Sequence, residues 1–410
     1  MPSDALRRIY PRVLARTLGV TRSLPEAEDA VQEAILAALS TWPTRGVPDS
    51  PEAWLLTTAK NKHRDRKRRG KWEAPQQDAL ETLCQMSPWA RIAVGEADIV
   101  RGWKDELLRL MFACCHPALE PGESAALCLS TVVGLSIGET AAAFVVEPRA
   151  MEQRLTRARR RLRQRGDPDG ADPDRSLERL DAVLRVIHLL FNEGYWSSQD
   201  AAPIRADLCR LALGLAHSLA EVFPGEPEVL ALLALILLHE ARRDARLVEG
   251  HPVPLPEQDR SRWDGAAIAR ATQILDRALA MSRRGPLQIE AAICAVHCRA
   301  PSAQDTDWQE IAALYDLLEP LRPTPAVRVN RAFAVARARG PQVGLALLDD
   351  RHAIDADDYP YVHLVRGTLL AELGRIEQAR LHLEQARRMA RNRVESAQIE
   401  AQIARLQGVT

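Results

Sequence analysis

Apolar residues in this chain recur at helical spacing and almost nowhere alternate, and that periodicity leaves an all-α fold as the architecture open to it. Val31, Ile35, Leu36 and Leu39 follow an i, i+4, i+5, i+8 stripe, and Leu208, Leu211, Leu215, Leu219 and Val222 follow i, i+3, i+7, i+11, i+14. Each series falls on one side of a helix. Aromatic residues are only 4% of the chain and alanine is abundant, which suits helices packed closely together. At 410 residues the chain exceeds one ordinary domain, so two or three compact units are expected.

A formal net charge of zero argues against nucleic-acid binding only until the chain is divided. Residues 1–165 hold 26 Lys/Arg against 20 Asp/Glu, a net of +6, and residues 166–410 hold 29 against 35, a net of −6. Every lysine lies at or before Lys104. A basic front half joined to an acidic back half suits a nucleic-acid module attached to something that must not adhere to DNA. The charged start MPSDALRRIYPR is unlike a signal peptide, and the most apolar run, Val229 to Leu238, is about half of what a membrane span needs. A cytoplasmic location without membrane attachment is expected, with the seven cysteines as reduced thiols.

Turn-rich stretches mark the boundaries. Residues 41–53 form a loop with a helix start at Ser50–Pro51, and residues 73–104, with Pro75 and Pro88, read as a linker. Residues 165–176 (RGDPDGADPDRS) separate the basic half from the acidic half, and residues 246–265 form a turn-rich insert. Near the C-terminus, Gly367, Gly374, Ala379 and Ala386 occupy positions 8, 15, 20 and 27 of a tetratricopeptide-type unit, and Gly340 lies 34 residues before Gly374. Such units bury their faces only by stacking, so the segments from about residue 177 onward are expected to form a helical solenoid.

Two basic helical elements occupy the front half. The first pairs LPEAEDAVQEAILAALSTWP (24–43), with Glu26, Glu28 and Asp29 near its start, with SPEAWLLTTAKNKHRDRKRR (50–69). The latter sets Trp54 on an apolar face and ends in Lys60, Asn61, Lys62, His63, Arg64, Arg66, Lys67, Arg68 and Arg69. Cations for phosphates beside a flat ring for bases are what a single DNA strand requires, although a solvated helix end has the same composition. In the second element, residues 134–165, a short helix around Glu139–Phe144 is followed by a tight connection and a helix beginning at Pro148. That helix presents Arg149, Gln153, Arg154, Arg157, Arg160 and Arg161. A helix-turn-helix of this kind reaches base edges and phosphates; an ordinary charged helical hairpin is the alternative.

Together, in this order and at this separation, the two elements resemble the universal regions of small bacterial RNA polymerase sigma factors of the extracytoplasmic-function type. The resemblance implies region 2 over residues 5–72, a linker over 73–104, region 4 over 105–165 and a tetratricopeptide-like domain over 177–410. It implies that Asp29, Gln32 and Glu33 of EAEDAVQEA face core RNA polymerase, away from Val31, Ile35 and Leu39. It implies that Trp54, Lys60, Asn61, His63, Arg64, Lys67 and Arg68 serve the −10 element, with the loop at Thr44–Ser50 capturing a flipped base. The −35 element would fall to Arg149, Gln153, Arg154, Arg157, Arg160 and Arg161. Gly134, Leu135, Ser136, Glu139, Ala141, Leu155, Ala158, Arg159 and Leu162 also match the region 4 pattern, whereas Val145 replaces the usual turn glycine and Glu147 the usual capping Ser/Thr. LRLMFACCHPAL (108–119), HLLFNEGY (188–195), PEVLALLALILLHEARRDAR (227–246) and DRSRWD (259–264) are similar to stretches of a subgroup with a tetratricopeptide-like tail.

The function implied is promoter recognition with core RNA polymerase and promoter DNA as partners, and a regulatory protein on the C-terminal repeats. Such a factor is no enzyme and needs no cofactor. The alternative is a helix-turn-helix regulator with a sensing repeat domain, which leaves residues 24–69 unexplained; a helical scaffold is a third reading. Cys114, Cys115 and His116, and Cys294, His297 and Cys298, lack the paired four-ligand spacing of structural zinc and read as buried thiols. His188, His217 and His239 lie on apolar helix faces, and FNEGY (191–195) either lines a groove or ends a helix at Gly194.

Overall fold

The computed structural model describes residues 2–69, 97–144, 146–165, 176–195, 204–248, 251–281, 283–349, 359–390 and 393–407. The turn residue Val145 and most of the expected linkers at 73–104 and 165–176 lie outside them. The fold is all-α, and among the described residues the single β ladder pairs Leu247 with Pro252 and Val248 with His251 inside the turn-rich insert. None of the described helices is long and apolar enough to cross a membrane.

The chain divides into two compact units, the first formed by Met1–Trp196 and Arg205–Leu219 and the second by Ser197–Ile204 and Ala220–Thr410. The first unit opens with α1 (Pro2–Thr21), α2 (Leu24–Arg45) and α3 (Pro51–Arg69), which pack on one another. The buried face of α2 is Ala27, Val31, Ala34, Ile35, Ala38 and Trp42. Leu36 and Leu39, expected on that face, are exposed. Alanines carry much of this interface, so counting large residues alone places the stripe too far round the helix. Arg16 of α1 pairs with Glu52 of α3 at 2.9 Å and with Glu106 at 3.1 Å. Glu106 belongs to α4 (Ala97–Cys114), which begins inside the stretch expected to be a linker.

Next come α5 (Pro121–Cys128), extended by a π-helical turn over Leu129–Val133, then α6 (Ile137–Ala143) and α7 (Pro148–Arg165). Pro148 opens α7 as its fixed φ favours. Met151, Leu155, Ala158 and Leu162 form its buried stripe. The first unit continues through α8 (Ser176–Tyr195) and most of α9 (Ala206–Val222), so the boundary between units falls near the end of α9, at Leu219, rather than at 165–176. Leu180, Val183, Leu184, Ile187, Leu190 and Phe191 of α8 are buried, and the helix lies against α4 and α5. Gly194 settles the FNEGY motif: a Cβ there would come within 2.7 Å of the Cys209 backbone nitrogen. The glycine allows the end of α8 to cross α9, and Tyr195 leans on Phe191 at 5.5 Å.

In the second unit α10 (Pro227–Glu240) is buried on every side from Val229 to Ile236. This explains an apolar run with no polar face. Its neighbours are α11 (Gly265–Leu279) and α12 (Pro286–Arg299). The DRSRWD stretch is structural. Arg260 donates to the carbonyls of His297 and Ala300, stacks over Trp263 at 4.5 Å, and leaves Asp264 to cap α11 through Ala267 N–H. Helices α13 (Trp308–Leu321), α14 (Pro325–Arg339), α15 (Pro341–Asp349), α16 (Pro360–Glu372), α17 (Ile376–Arg388) and α18 (Arg393–Gln407) follow, with α14 and α15, and α16 and α17, as closely packed hairpins. The 34-residue glycine recurrence marks the turns between α14 and α15 and between α16 and α17, where Gly340 and Gly374 have φ of 103° and 72°. Gly367, Ala379 and Ala386 let α16 and α17 approach closely.

The Gly194 crossing yields a test. Gly194→Ala should lower the stability of the first unit by about 1–3 kcal/mol, the usual range for overpacking. A urea midpoint equal to that of wild type would show that the two backbones do not touch.

Candidate nucleic-acid interface

The basic run of α3 divides between two faces. On one, His63 Nδ1 lies 3.6 Å from Glu26, and Arg66 reaches Asp29 at 3.3 Å and also bonds Glu33. On the other, Asn61, Arg64, Lys67 and Arg68 are exposed, with 61, 64 and 68 at i, i+3 and i+7. Lys60 is half-buried, and Trp54 is half-buried with its ring edge-on to Trp42 at 5.6 Å. The exposed strip is thus polar and cationic, Asn61, Arg64, Lys67 and Arg68, while Trp54 leans on Trp42 and His63 is turned toward α2.

The helix-turn-helix is built on a reciprocal cap. Ser136 Oγ accepts from Glu139 N–H at 3.1 Å, and Glu139 Oε2 accepts from Ser136 N–H at 2.8 Å. The remaining oxygen of Glu139 pairs with Arg205 at 3.2 Å, with both side chains largely buried. On α7, Arg149, Gln153, Arg157 and Arg160 are all exposed and follow i, i+4, i+8, i+11, one continuous polar stripe opposite the buried one. Arg154 is half-buried and lies over the Phe144 ring at 5.5 Å, and Arg161 pairs with Glu123 at 2.6 Å.

The acidic set on α2 is where expectation and structure part most. The resemblance implies an outward-facing Asp29, yet its side chain is 1% exposed and sits between Arg66 and Arg163, the latter at 2.9 Å. Glu28 is similarly buried and pairs with Arg159 at 3.4 Å. Gln32 and Glu33 are half-buried. Burial pushes the Asp29 carboxyl above the ordinary carboxylate range, while Arg163 and Arg66 pull it back. Sequence reasoning gives no role to Arg163 or to the Glu28–Arg159 pair. The available signal is that Arg159 and Arg163, four apart, lie off the Arg149–Arg160 stripe, although nothing in the sequence says what they meet.

Comparison with known proteins agrees with this geometry. Residues 5–73 match the Sigma-70 region 2 model, residues 109–162 match the Sigma-70 region 4 model, and residues 179–279 match a family of unknown function, DUF6596. An uncharacterized protein of Rhizobium meliloti (strain 1021) is 40% identical over 408 residues, covering 98% of this chain and 95% of its own. The chain belongs to the sigma factors of the extracytoplasmic-function type, with an additional C-terminal domain.

In this sigma factor α1–α3 are region 2, and α4 to α7 carry region 4. The DUF6596 stretch begins at Arg179, whose guanidinium donates to the Phe112 carbonyl at 3.0 Å, so the additional domain starts as part of the region 4 packing. The six described cysteines are buried and none is in a disulfide. Cys114 and Cys128 are pushed up by burial and sit in the region 4 core, where Cys115 and Cys128 approach to 3.7 Å.

The Arg205–Glu139 pair is the test here. Arg205→Ala strands a buried carboxylate and should cost about 3–5 kcal/mol in chemical denaturation. Replacing the pair together, by Arg205→Met with Glu139→Gln, should cost clearly less. Equal losses would mean that the pairing itself is not what holds α9 to the helix-turn-helix.

Proposed function

We propose that this sigma factor reads promoters through its two open polar stripes and is regulated by its C-terminal helical repeats. In this reading Trp54, Lys60, Asn61, Arg64, Lys67 and Arg68 hold the single-stranded −10 element: the lysines and arginines bind phosphate and Trp54 offers a ring for stacking. His63, tied to Glu26, positions α3 rather than touching DNA. Arg149, Gln153, Arg157 and Arg160 enter the major groove at the −35 element, where Arg suits guanine and Gln suits adenine edges. Arg154 and Arg161 bind phosphates at the edge of that footprint. Asp29, Gln32 and Glu33 bind core RNA polymerase.

The observation that carries the reading is the unbroken exposed stripe Arg149–Gln153–Arg157–Arg160 on the second helix of the region 4 helix-turn-helix. The helical hairpins of the second unit, with small residues at tetratricopeptide positions, suit protein or peptide recognition. We assign them to docking a regulatory protein in the cytoplasm. The burial of Leu180 to Phe191 against region 4 supplies a route from the added domain to the promoter-reading helices.

Run-off transcription with core polymerase and a genomic promoter library is the test. Full-length protein should give discrete promoter-dependent transcripts. Arg154→Ala and Arg161→Ala should each reduce the salt slope of promoter binding by about one unit for every phosphate left unneutralised. Absence of any promoter-dependent transcript would overturn the assignment.

A further inference from the structure

The second unit carries a pair of thiols on one helix face that promoter reading does not use. Cys294 and Cys298 stand four apart on α12, 5% and 8% exposed, and the Cys298 thiol donates a hydrogen bond to Cys294. The guanidinium of Arg242, itself buried, lies 3.7 Å from Cys294 Sγ and donates to His239 Nδ1 at 2.8 Å. A guanidinium only donates, so the His239 ring is left with its proton on Nε2, and it too hydrogen-bonds Cys294. Arg260 holds the carbonyls of His297 and Ala300 at the end of the same helix. His297, pushed down to about 4 by burial, is neutral near pH 7, so the positive charge beside the sulfurs is that of Arg242 and Arg260.

The buried cysteines therefore fall into two classes. Burial raises Cys114 and Cys128 in the region 4 core, and both stay protonated. Cys294 is also buried, yet the hydrogen bond from Cys298, helped by His239 and Arg242, holds it well below the ordinary thiol range. Cys298 is pushed up by the same bond and keeps its proton. A thiolate beside a thiol is the arrangement that oxidation and resolution require.

We infer that Cys294 and Cys298 form a reversible oxidation site for hydrogen peroxide, with Cys294 as the nucleophile and Cys298 as the resolving thiol. The Cys294 sulfur attacks one peroxide oxygen: an S–O bond forms, the O–O bond breaks, and the departing hydroxide takes a proton to become water. The Cys298 sulfur then attacks the sulfenic sulfur: an S–S bond forms, the S–O bond breaks, and the thiol proton leaves with hydroxide as water. In sum the two cysteines lose two electrons and two protons, and peroxide is reduced to two waters. So closed a site admits an oxidant little larger than water and excludes a bulky disulfide. Helix positions four apart hold their Cβ atoms about 5–6 Å from each other, whereas a disulfide needs about 3.5–4.5 Å. Cys298 is one residue from the end of α12, so the last turn opens to close the bond and draws His297 and Ala300 away from Arg260.

The test is peroxide treatment of the full-length chain, followed by alkylation in denaturant and tryptic mapping. Both thiols lie on one tryptic peptide, Gly285–Arg299, so the disulfide is read as a loss of two hydrogens that dithiothreitol restores. Cys294 should be consumed at least about tenfold faster than Cys114 and Cys128 in the same molecules, as thiolate against buried thiol. Cys298→Ser should halt the reaction at a sulfenic acid on Cys294 that dimedone traps, and Cys294→Ser should leave Cys298 open to alkylation. Glutathione disulfide should give no adduct on the native chain. Consumption of Cys294 no faster than that of Cys114 and Cys128 overturns the site, and this comparison needs no variant to fold. Oxidation of Cys298 that survives Cys294→Ser overturns the assigned roles, and a glutathione adduct on native Cys294 overturns peroxide as the selected oxidant.

Discussion

The Asp29 carboxylate, enclosed by guanidinium groups from two different helices, is the interaction on which the organisation of the front unit depends. A carboxylate this deeply buried is stable only with charged partners, and removing both would leave an uncompensated charge. It fixes the direction of α3 against α2 through Arg66. It also ties the far end of α7 to the same point through Arg163.

A second buried charge performs the analogous task at the other end of region 4. Glu139 caps its own helix with one oxygen and takes Arg205 with the other. Because Arg205 immediately precedes α9, the added C-terminal sequence is anchored where the helix-turn-helix begins. Together with Arg179 on the Phe112 carbonyl, this makes the helix from Ser176 and most of the next one part of the unit that holds regions 2 and 4. The family boundary in sequence and the packing boundary in space therefore differ. The region of unknown function spans both units, entering the first through an apolar face and the second through the buried helix Pro227–Glu240.

Much of this organisation is legible in the residues. The helix pairs at 24–43 with 50–69 and at 137–165 announce themselves by periodicity and by Pro148, and the glycine recurrence at 340 and 374 marks turns that need a left-handed backbone. The exposed stripe of α7 is readable as a spacing of arginines and a glutamine. Pairing between distant charges is not legible. Local sequence shows that Glu28 and Asp29 suit a helix start, which is true of any such residues. It does not show that Arg159 and Arg163, 131 and 134 residues further on, lie against them. The buried face of α2 is misplaced for a related reason, because alanine is neutral in pattern counting yet decides how closely α1 and α3 pack.

In this structure regions 2 and 4 of the sigma factor are held together at Asp29. Spin labels at exposed Ser40 of region 2 and Gln164 of region 4, with distances read by double electron–electron resonance, test that state most directly. One dominant short distance in the free protein, replaced by one several tens of ångströms longer in the complex with core polymerase and promoter DNA, is the result predicted. The same distance in both states, or a long one in the free protein, would contradict it.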